Sequence, residues 1–328
     1  MVTALATGAA AGLGMGYVLQ RGQLCFYSMF TSALAGRTLL LRGWLLGVAV
    51  ASVGLSLLYL TPWSRGLNTG LAFTPVANIA GGLTIGIGMA VASSCVSGLF
   101  YKLGSGMVGT LAGLAGWIAG ELAARNVHLP GPTVLGGGQA ATFAGVLGVP
   151  RLALSAVFLA VVATALWRWR PGERPAHPWQ WNAPRLGIAL GLVTIAGWAL
   201  ARVGGSSFGP STVGASASVA SGSPDWWLIA FLLAIVAGAG IAARTAGGWW
   251  LRGEAPVRYG QLAVGGFLLG AGGWIADGCN LGHGLSGAAQ LNVSSWVVIM
   301  SMATGAALSA KAARIVAAWL PRSPARAS

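Results

Sequence analysis

Nine apolar segments, each close to the length that crosses a lipid bilayer, constrain this chain more than any other feature. A membrane-spanning helix needs about 17–25 residues to cover the hydrocarbon core. We number the segments 1 to 9 in chain order: Val2–Leu19, Leu39–Leu60, Phe73–Ala92, Gly106–Ala124, Leu152–Trp167, Leu186–Ala201, Trp226–Ala243, Gln261–Ala276 and Val293–Ala310. The pattern predicts an all-α membrane protein with about nine transmembrane helices.

The composition favours lipid as the main solvent. Only 7% of the 328 residues are charged and the mean hydropathy is +0.74, whereas a soluble domain carries about 25% charged residues. The net charge of +14 comes from residues scattered between the apolar segments, which argues against nucleic-acid binding. Three cysteines and three histidines show no metal-ligand spacing, so we expect neither a metal nor a cofactor.

The 19 basic residues predict an orientation in the bilayer. If the nine segments alternate, 15 of these residues fall on one side, among them Arg170, Arg322 and Arg326. The other four lie on the side of the N-terminus: Arg65, Arg125, Arg151 and Arg202. Cytoplasmic loops carry the excess of Lys and Arg, so we expect a periplasmic N-terminus and a cytoplasmic C-terminus.

An internal repeat relates two parts of the chain. GGLTIGIGMAVASSCVSG, from Gly81, matches GGFLLGAGGWIADGCNLG, from Gly265, at an offset of 184 residues that also places Cys95 on Cys279. The offset carries segment 3 onto segment 8. Because this shift is odd, the two copies cross the membrane in opposite senses. Inverted repeats are typical of transporters, whose substrate site lies near the midplane between the copies.

The repeat predicts how the chain is organised. We expect a single transmembrane transporter domain over residues 1–328, with repeat halves of about 1–150 and 184–328. Segment 5 and a polar, proline-rich linker at 168–185 join the two halves.

Four loops are rich in Gly and Ser yet too apolar to be simple solvated loops. They are Gln20–Thr38, Ser93–Ser105, Gly204–Ser223 and Asp277–Asn292. Irregular backbone persists at membrane depth only when it is buried in protein or lines a cavity. We therefore interpret all four as re-entrant loops with short helices, two from each side, that meet at the centre. Three of them hold the cysteines Cys25, Cys95 and Cys279.

The thiols in these loops suit an anion with a soft terminal sulfur. Backbone N–H groups at short helix starts attract anions, and a thiol is a weak donor whose sulfur is a weak acceptor. A free cysteine can also be a small buried hydrophobe, and a Cys25–Cys95 disulfide is disfavoured because both loops start from the reducing side. The supporting candidates are Ser94, Asp277, Gly278, Asn280, His283, Arg21 and Lys102.

Structural roles stay open for several of these candidates. Asp277 or His283 can cap a helix or tie a loop together, and the excess of positive charge on the cytoplasmic side accounts for Arg21 and Lys102 without any substrate.

Three motifs carry a resemblance to a known family: RGQLCFYSMF, GIGMAVASSCVSGLFYKLGSG and GGFLLGAGGWIADGCNLGHGLSGAAQLNVSSW. They resemble the cysteine motifs of the YeeE/YedE family of bacterial membrane transporters, and the last is similar to its GCNxGHxLSG-type signature. The similarity covers essentially the whole chain in the expected order. In the middle motif, Ser93 and Ser94 stand where many relatives have glycines.

The resemblance implies uptake of thiosulfate, or of a related sulfur or selenium compound, across the bacterial inner membrane. It also implies a relay by Cys25, Cys95 and Cys279 and a small cytoplasmic sulfur-carrier protein as partner. The alternatives are a cysteine-dependent membrane sulfurtransferase and a structural membrane protein. An enzyme would need an activated thiolate, and only His283 stands near a cysteine in the sequence. We therefore interpret the chain as a transporter rather than an enzyme.

Overall fold

The computed structural model describes residues 1–168 and 173–319, which are helical apart from loops and isolated β-bridges. Of the basic residues counted above, Arg170, Arg322 and Arg326 lie outside the described residues. The α-helices, numbered in chain order, are α1 (Val2–Gly22), α2 (Phe26–Leu34), α3 (Leu39–Leu60), α4 (Pro75–Ala92), α5 (Val96–Gly104), α6 (Thr110–Ala124), α7 (Phe143–Leu147), α8 (Arg151–Arg168), α9 (Ala183–Val203), α10 (Ala215–Ala220), α11 (Trp226–Thr245), α12 (Pro256–Ile275) and α13 (Val293–Trp319).

All nine predicted segments are helical, and seven stretches of the described chain are long and apolar enough to cross a membrane. Two of these stretches, Val2–Leu34 and Pro75–Gly104, combine α1 with α2 and α4 with α5. The two predicted segments outside the seven are α6, which has only 15 residues, and α12, whose six glycines lower its mean hydropathy. The chain is a multi-pass membrane protein, and the count of nine crossings stays a prediction.

Close contact between helix backbones holds α1 to α11. Gly8 and Gly16 of α1 lie against the backbone carbonyls of Trp227 and Ile235, so the two helices run in the same direction. In lipid, small residues at four-residue spacing let backbones approach closely, because van der Waals packing replaces the hydrophobic driving force. Gly12 lies midway along this contact.

We expect Gly12→Ala to destabilise the fold by about 1–3 kcal/mol, the usual effect of overpacking a tight contact. A Cβ at this position would overlap the carbonyl oxygen of Phe231. Thermal unfolding of the protein in detergent measures the effect. The matched control is Gly260→Ala, because a Cβ there meets no atom within 4 Å. Equal unfolding temperatures for the two variants would contradict this packing.

The offset of 184 residues relates two sets of helix contacts. The α1/α11 contact has a counterpart in α9/α3, and the α6/α12 contact has a counterpart in α13/α4. The repeat-related helices α4 and α12 run antiparallel, because Gly81 lies against Ala276 while Gly88 lies against Gly265. An antiparallel relation between equivalent helices is what an inverted repeat requires, and it supports our proposal of two inverted halves joined by α8.

The described part of the linker before α9 is docked on the ends of two helices. The Glu173 carboxylate accepts hydrogen bonds from the backbone N–H groups of Thr38 and Leu39 at the start of α3. The Trp181 N–H donates to the Arg21 carbonyl near the end of α1. We call this end of the molecule the linker face, and the end at which α1 begins the N-terminal face.

Candidate functional site

The three cysteines share one local backbone arrangement. Each follows, by two positions, a non-glycine residue in the left-handed region: Gln23 (φ 52°), Ser93 (φ 47°) and Asp277 (φ 59°). The left-handed residue turns the chain at the end of α1, α4 or α12. Such conformations persist only where the surrounding structure fixes them, and they cluster at functional sites. After two of these turns, Cys25 and Cys95 take extended backbone and become the N-caps of α2 and α5.

Cys25 and Cys95 form a reciprocal pair. The Cys25 Sγ accepts the Cys95 backbone N–H at 3.3 Å, and the Cys95 Sγ accepts the Phe26 backbone N–H at 3.3 Å. Both sulfurs lie within 3.3 Å of the point that a Cβ on Gly98 would occupy. Both cysteines are fully buried free thiols. The N-termini of α2 and α5 therefore meet at the two sulfurs, and their positive ends create a local preference for negative charge.

The loop that holds Cys279 is connected to this pair by an asparagine–serine bridge. The Cys279 Sγ accepts the Leu281 backbone N–H at 3.2 Å. The next residue along the chain, Asn280, donates from its Nδ2 to the Ser97 Oγ at 2.6 Å. The Ser97 Oγ in turn lies 3.4 Å from the Cys95 Sγ. A continuous run of polar atoms therefore leads from the Cys279 loop to the thiol pair.

Nothing in the sequence pattern singles out Ser97, although it is fully buried in this bridge. Its position at the start of the short helix after Cys95 is the one available signal. The repeat gives no help, because the residue at its offset is Leu281. Asn280 was among the predicted candidates, and its Oδ1 is buried without a hydrogen-bond partner among the described residues.

His283 ties the Cys279 loop together. Its Nε2 lies 2.7 Å from the Ala276 carbonyl oxygen, which only accepts hydrogen bonds, so Nε2 carries the proton. Its Nδ1 lies 2.9 Å from the Ser295 Oγ. Gly278 packs against the imidazole, and a Cβ on Gly278 would lie 2.7 Å from the ring. His283 and Gly278 thus shape the loop that presents Cys279.

We expect His283→Ala to lower the unfolding temperature, because the buried Ala276 carbonyl and Ser295 hydroxyl lose their partner. Leaving a buried polar group unpaired costs about 1–3 kcal/mol. Thermal unfolding in detergent checks this, with His128→Ala as the matched control because His128 is exposed. If both histidine variants unfolded at the wild-type temperature, the hydrogen bonds of His283 would not stabilise the Cys279 loop.

A cavity opens on the N-terminal face, beside the start of the Cys279 loop. It has a volume of about 240 Å³ and is lined by the 204–223 loop and by Asp277, which is exposed. Buried Glu121 of α6 holds that loop by accepting the N–H groups of Gly214 and Ala217 at the start of α10, at 3.0 and 3.2 Å. The cavity therefore lies between two of the four predicted re-entrant loops.

A larger cavity, of about 520 Å³, opens on the linker face. Lys102 lines it and donates from Nζ to the Ser94 Oγ at 3.0 Å, which places this cation beside the residue before Cys95. Arg21 is not brought to the thiols, since its guanidinium lies 5.8 Å from the centre of the Trp181 ring. Within the described residues, no group of three or more His, Cys, Asp or Glu side chains could hold a metal ion.

Known proteins resemble the chain over most of its length. The family described as "Sulphur transport" matches residues 21–308. The thiosulfate transporter TsuA of Spirochaeta thermophila is 31% identical over 324 residues, which cover 89% of this chain and 93% of that protein. TsuA of Escherichia coli K12 is 23% identical and covers 93% of each chain. The probable transporter YedE of Escherichia coli K12 is 30% identical over 98 residues, covering 30% of this chain and 23% of that protein. These names agree with the prediction of a transporter rather than an enzyme.

Proposed function

This chain belongs to the sulphur-transport family, and from that premise we propose that it takes up thiosulfate, or a closely related sulfur-containing anion, through a path lined by Cys25, Cys95 and Cys279. The substrate proposal is supported by the two relatives named as thiosulfate transporters. We place the protein in the bacterial inner membrane with a periplasmic N-terminus and a cytoplasmic C-terminus. A small cytoplasmic sulfur-carrier protein is the proposed recipient of the ion.

One observation carries the proposal: the Asn280–Ser97 bridge joins the loop that holds Cys279 to the buried Cys25–Cys95 pair, and a cavity lies near each end of α1. The N-terminal-face cavity is lined by Trp227, which packs on Gly8, whereas the linker-face cavity is lined by Gln20. At about 1.5 Å of rise per residue, Gly8 and Gln20 stand about 18 Å apart along α1. The thiols, Asn280 and Ser97 are all fully buried, and in this proposal they fill the interval between the cavities.

The thiols and the backbone N–H groups around them suit a soft anion better than a hard one. Thiosulfate carries a polarisable terminal sulfur together with three oxygens. A thiol S–H can donate weakly to the sulfur, while backbone N–H groups at the starts of α2 and α5 suit the oxygens. Each contact is weak, so the ion can leave each position as readily as it arrives, which conduction requires. No covalent bond to cysteine is needed.

Passage requires the resting contacts to open. The structure contains the Asn280–Ser97 hydrogen bond and two N–H···S contacts, and these would close the proposed path. An entering ion would replace them one at a time, because the Asn280 amide and the Ser97 hydroxyl can each donate to an oxygen of the ion. In this proposal the bridge acts as a closed gate between Cys279 and Cys95.

Competition for uptake tests the substrate. Purified protein in liposomes is given ³⁵S-labelled thiosulfate together with an excess of unlabelled thiosulfate, sulfate, sulfite or selenite outside. We expect unlabelled thiosulfate to abolish labelled uptake and sulfate to compete least, because sulfate lacks a soft terminal atom. If sulfite or selenite competed better than thiosulfate, the substrate assignment would be wrong. Mass spectrometry of the protein after uptake distinguishes a sulfurtransferase, which would retain an added sulfur on cysteine.

A further inference from the structure

The linker-face cavity contains two cations that lack acidic partners. Lys102 and Arg252 both line it, and its lining includes no Asp or Glu. In the described part of the chain, Lys102 Nζ donates only to the Ser93 carbonyl and the Ser94 hydroxyl. The Arg252 guanidinium donates to the Ser105 Oγ at a distance of 3.4 Å and lies 5.7 Å from the centre of the Trp250 ring, so neither contact neutralises its charge. Both positive charges are therefore available to an anion in the cavity.

A third group in the cavity is a buried amide without a partner. Gln20 is only 4% exposed, and its Oε1 is buried with no hydrogen-bond partner among the described residues. The nearby Gln23 differs, because its Nε2 donates to the Gln20 backbone carbonyl at 2.8 Å. The Oε1 can only accept, so it does not pair with an anion, whereas the Gln20 Nε2 carries two N–H donors and makes no hydrogen bond among the described residues. An oxyanion in the cavity could accept a hydrogen bond from this Nε2.

Lys102 links the cavity to the thiol pair. It lines the cavity and donates to the Ser94 hydroxyl, and Ser94 is the residue before Cys95. The Ser94 Oγ also lies 2.5 Å from the point that a Cβ on Gly98 would occupy, the same point that both sulfurs face. An ion that leaves Cys25 and Cys95 toward the linker face would therefore meet Lys102 first.

We propose that Lys102, Arg252 and Gln20 form a separate oxyanion site, which holds the oxygens of the ion on the linker-face side of the thiols. The inference rests on the proposed transport of a sulfur anion. It assigns recognition of that anion to two separate groups of residues. The thiols recognise the soft sulfur, whereas this site recognises negative charge and oxygen. Sulfate therefore binds at this site although it is a poor substrate for the thiol path.

Sulfate binding to the purified full-length protein tests the site. Titration by calorimetry, in a gluconate buffer of low ionic strength, is expected to show saturable binding to the wild type. Lys102→Gln and Arg252→Gln should each weaken sulfate binding about tenfold, as expected when one charged hydrogen bond is lost. Lys102→Arg should restore most of the affinity. Gly260→Ala should bind sulfate like the wild type, because its added Cβ meets no atom within 4 Å.

Arg244→Gln is the matched control. It removes the same charge near the same cavity, but the Arg244 guanidinium stacks on Trp249 at 4.5 Å and does not line the cavity. Equal weakening by Arg244→Gln and Arg252→Gln would show a general charge effect and overturn the site, as would wild-type affinity in Lys102→Gln. Parallel thiosulfate uptake separates the two proposals. A wild type that transports no thiosulfate contradicts the proposed function, whereas normal uptake with sulfate binding unchanged in Lys102→Gln contradicts this site alone.

Discussion

Cys25→Ser and Cys95→Ser are each expected to lower thiosulfate uptake at least about tenfold, the effect of losing about 1.4 kcal/mol of interaction. Each substitution gives a side chain of similar size and shape. It replaces the soft sulfur with a hard oxygen. The Cys25 Sγ and Cys95 Sγ each accept a backbone N–H at 3.3 Å, so both sulfurs stand at the junction of α2 and α5. Initial rates of ³⁵S-thiosulfate uptake in proteoliposomes measure the loss.

Stability provides the control for this experiment. Cys25 and Cys95 are helix N-caps that make no side-chain capping bond, and serine is among the preferred residues at such positions. The serine variants should therefore unfold at the wild-type temperature or above it while uptake falls. A loss of uptake with preserved stability assigns the sulfur to transport. Uptake within twofold of the wild type in both variants would show that the thiols are packing residues.

Gly98→Ala is expected to reduce thiosulfate uptake to the background of empty liposomes. The added methyl group would lie 3.2 Å from the Cys25 Sγ, 3.3 Å from the Cys95 Sγ and 2.5 Å from the Ser94 Oγ. It would fill the point that both sulfurs face and separate the thiol pair from the Lys102 cavity. Uptake rates and thermal unfolding are measured together.

The matched control is again Gly260→Ala, a glycine-to-alanine change in α12 whose Cβ has no neighbour within 4 Å. It should transport thiosulfate at the wild-type rate. Gly98→Ala should remain folded, because the Ser94 hydroxyl is the far end of a side chain that can rotate away. Normal uptake by Gly98→Ala would place the path of the ion elsewhere.

The helices were predictable from the sequence because the length of an apolar run sets the length of a helix in lipid. Leu39–Leu60 has the predicted limits, and α11 begins at the predicted Trp226. The number of crossings was harder to establish, because α6 is short and α12 is rich in glycine. α12 packs closely against its neighbours although its hydropathy is low. Gly266 of α12, for example, lies against the backbone of Gly113 in α6.

The site was predictable only in part. The repeat relates Cys95 to Cys279, yet the direct contact in the structure is between Cys95 and Cys25, whose repeat position is Gly209. Gly209 packs against the Trp198 ring and carries no thiol, so the two halves differ at this point. Symmetry in the sequence could therefore not reveal the thiol pair.

The hydrogen bond that bridges the two cysteine loops could not be predicted from the sequence either. Asn280 and Ser97 meet across 183 positions, and no periodic pattern encodes that contact. The left-handed residues Gln23, Ser93 and Asp277 were equally unpredictable, because none is a glycine. Lys102 was predicted as a candidate, and the structure places it beside Ser94. Arg21, predicted with it, stacks on the linker instead.

The position of the bound ion tests the central claim, that the ion passes along the three thiols, most directly. Selenosulfate carries selenium in place of the terminal sulfur of thiosulfate, so a crystal soaked with it gives an anomalous signal from that atom. If the ion passes along the thiols, the selenium peak lies in van der Waals contact, within about 4.5 Å, with the Sγ of Cys25, Cys95 or Cys279. A selenium peak that contacts none of the three sulfurs, in protein that transports the ion, would contradict it.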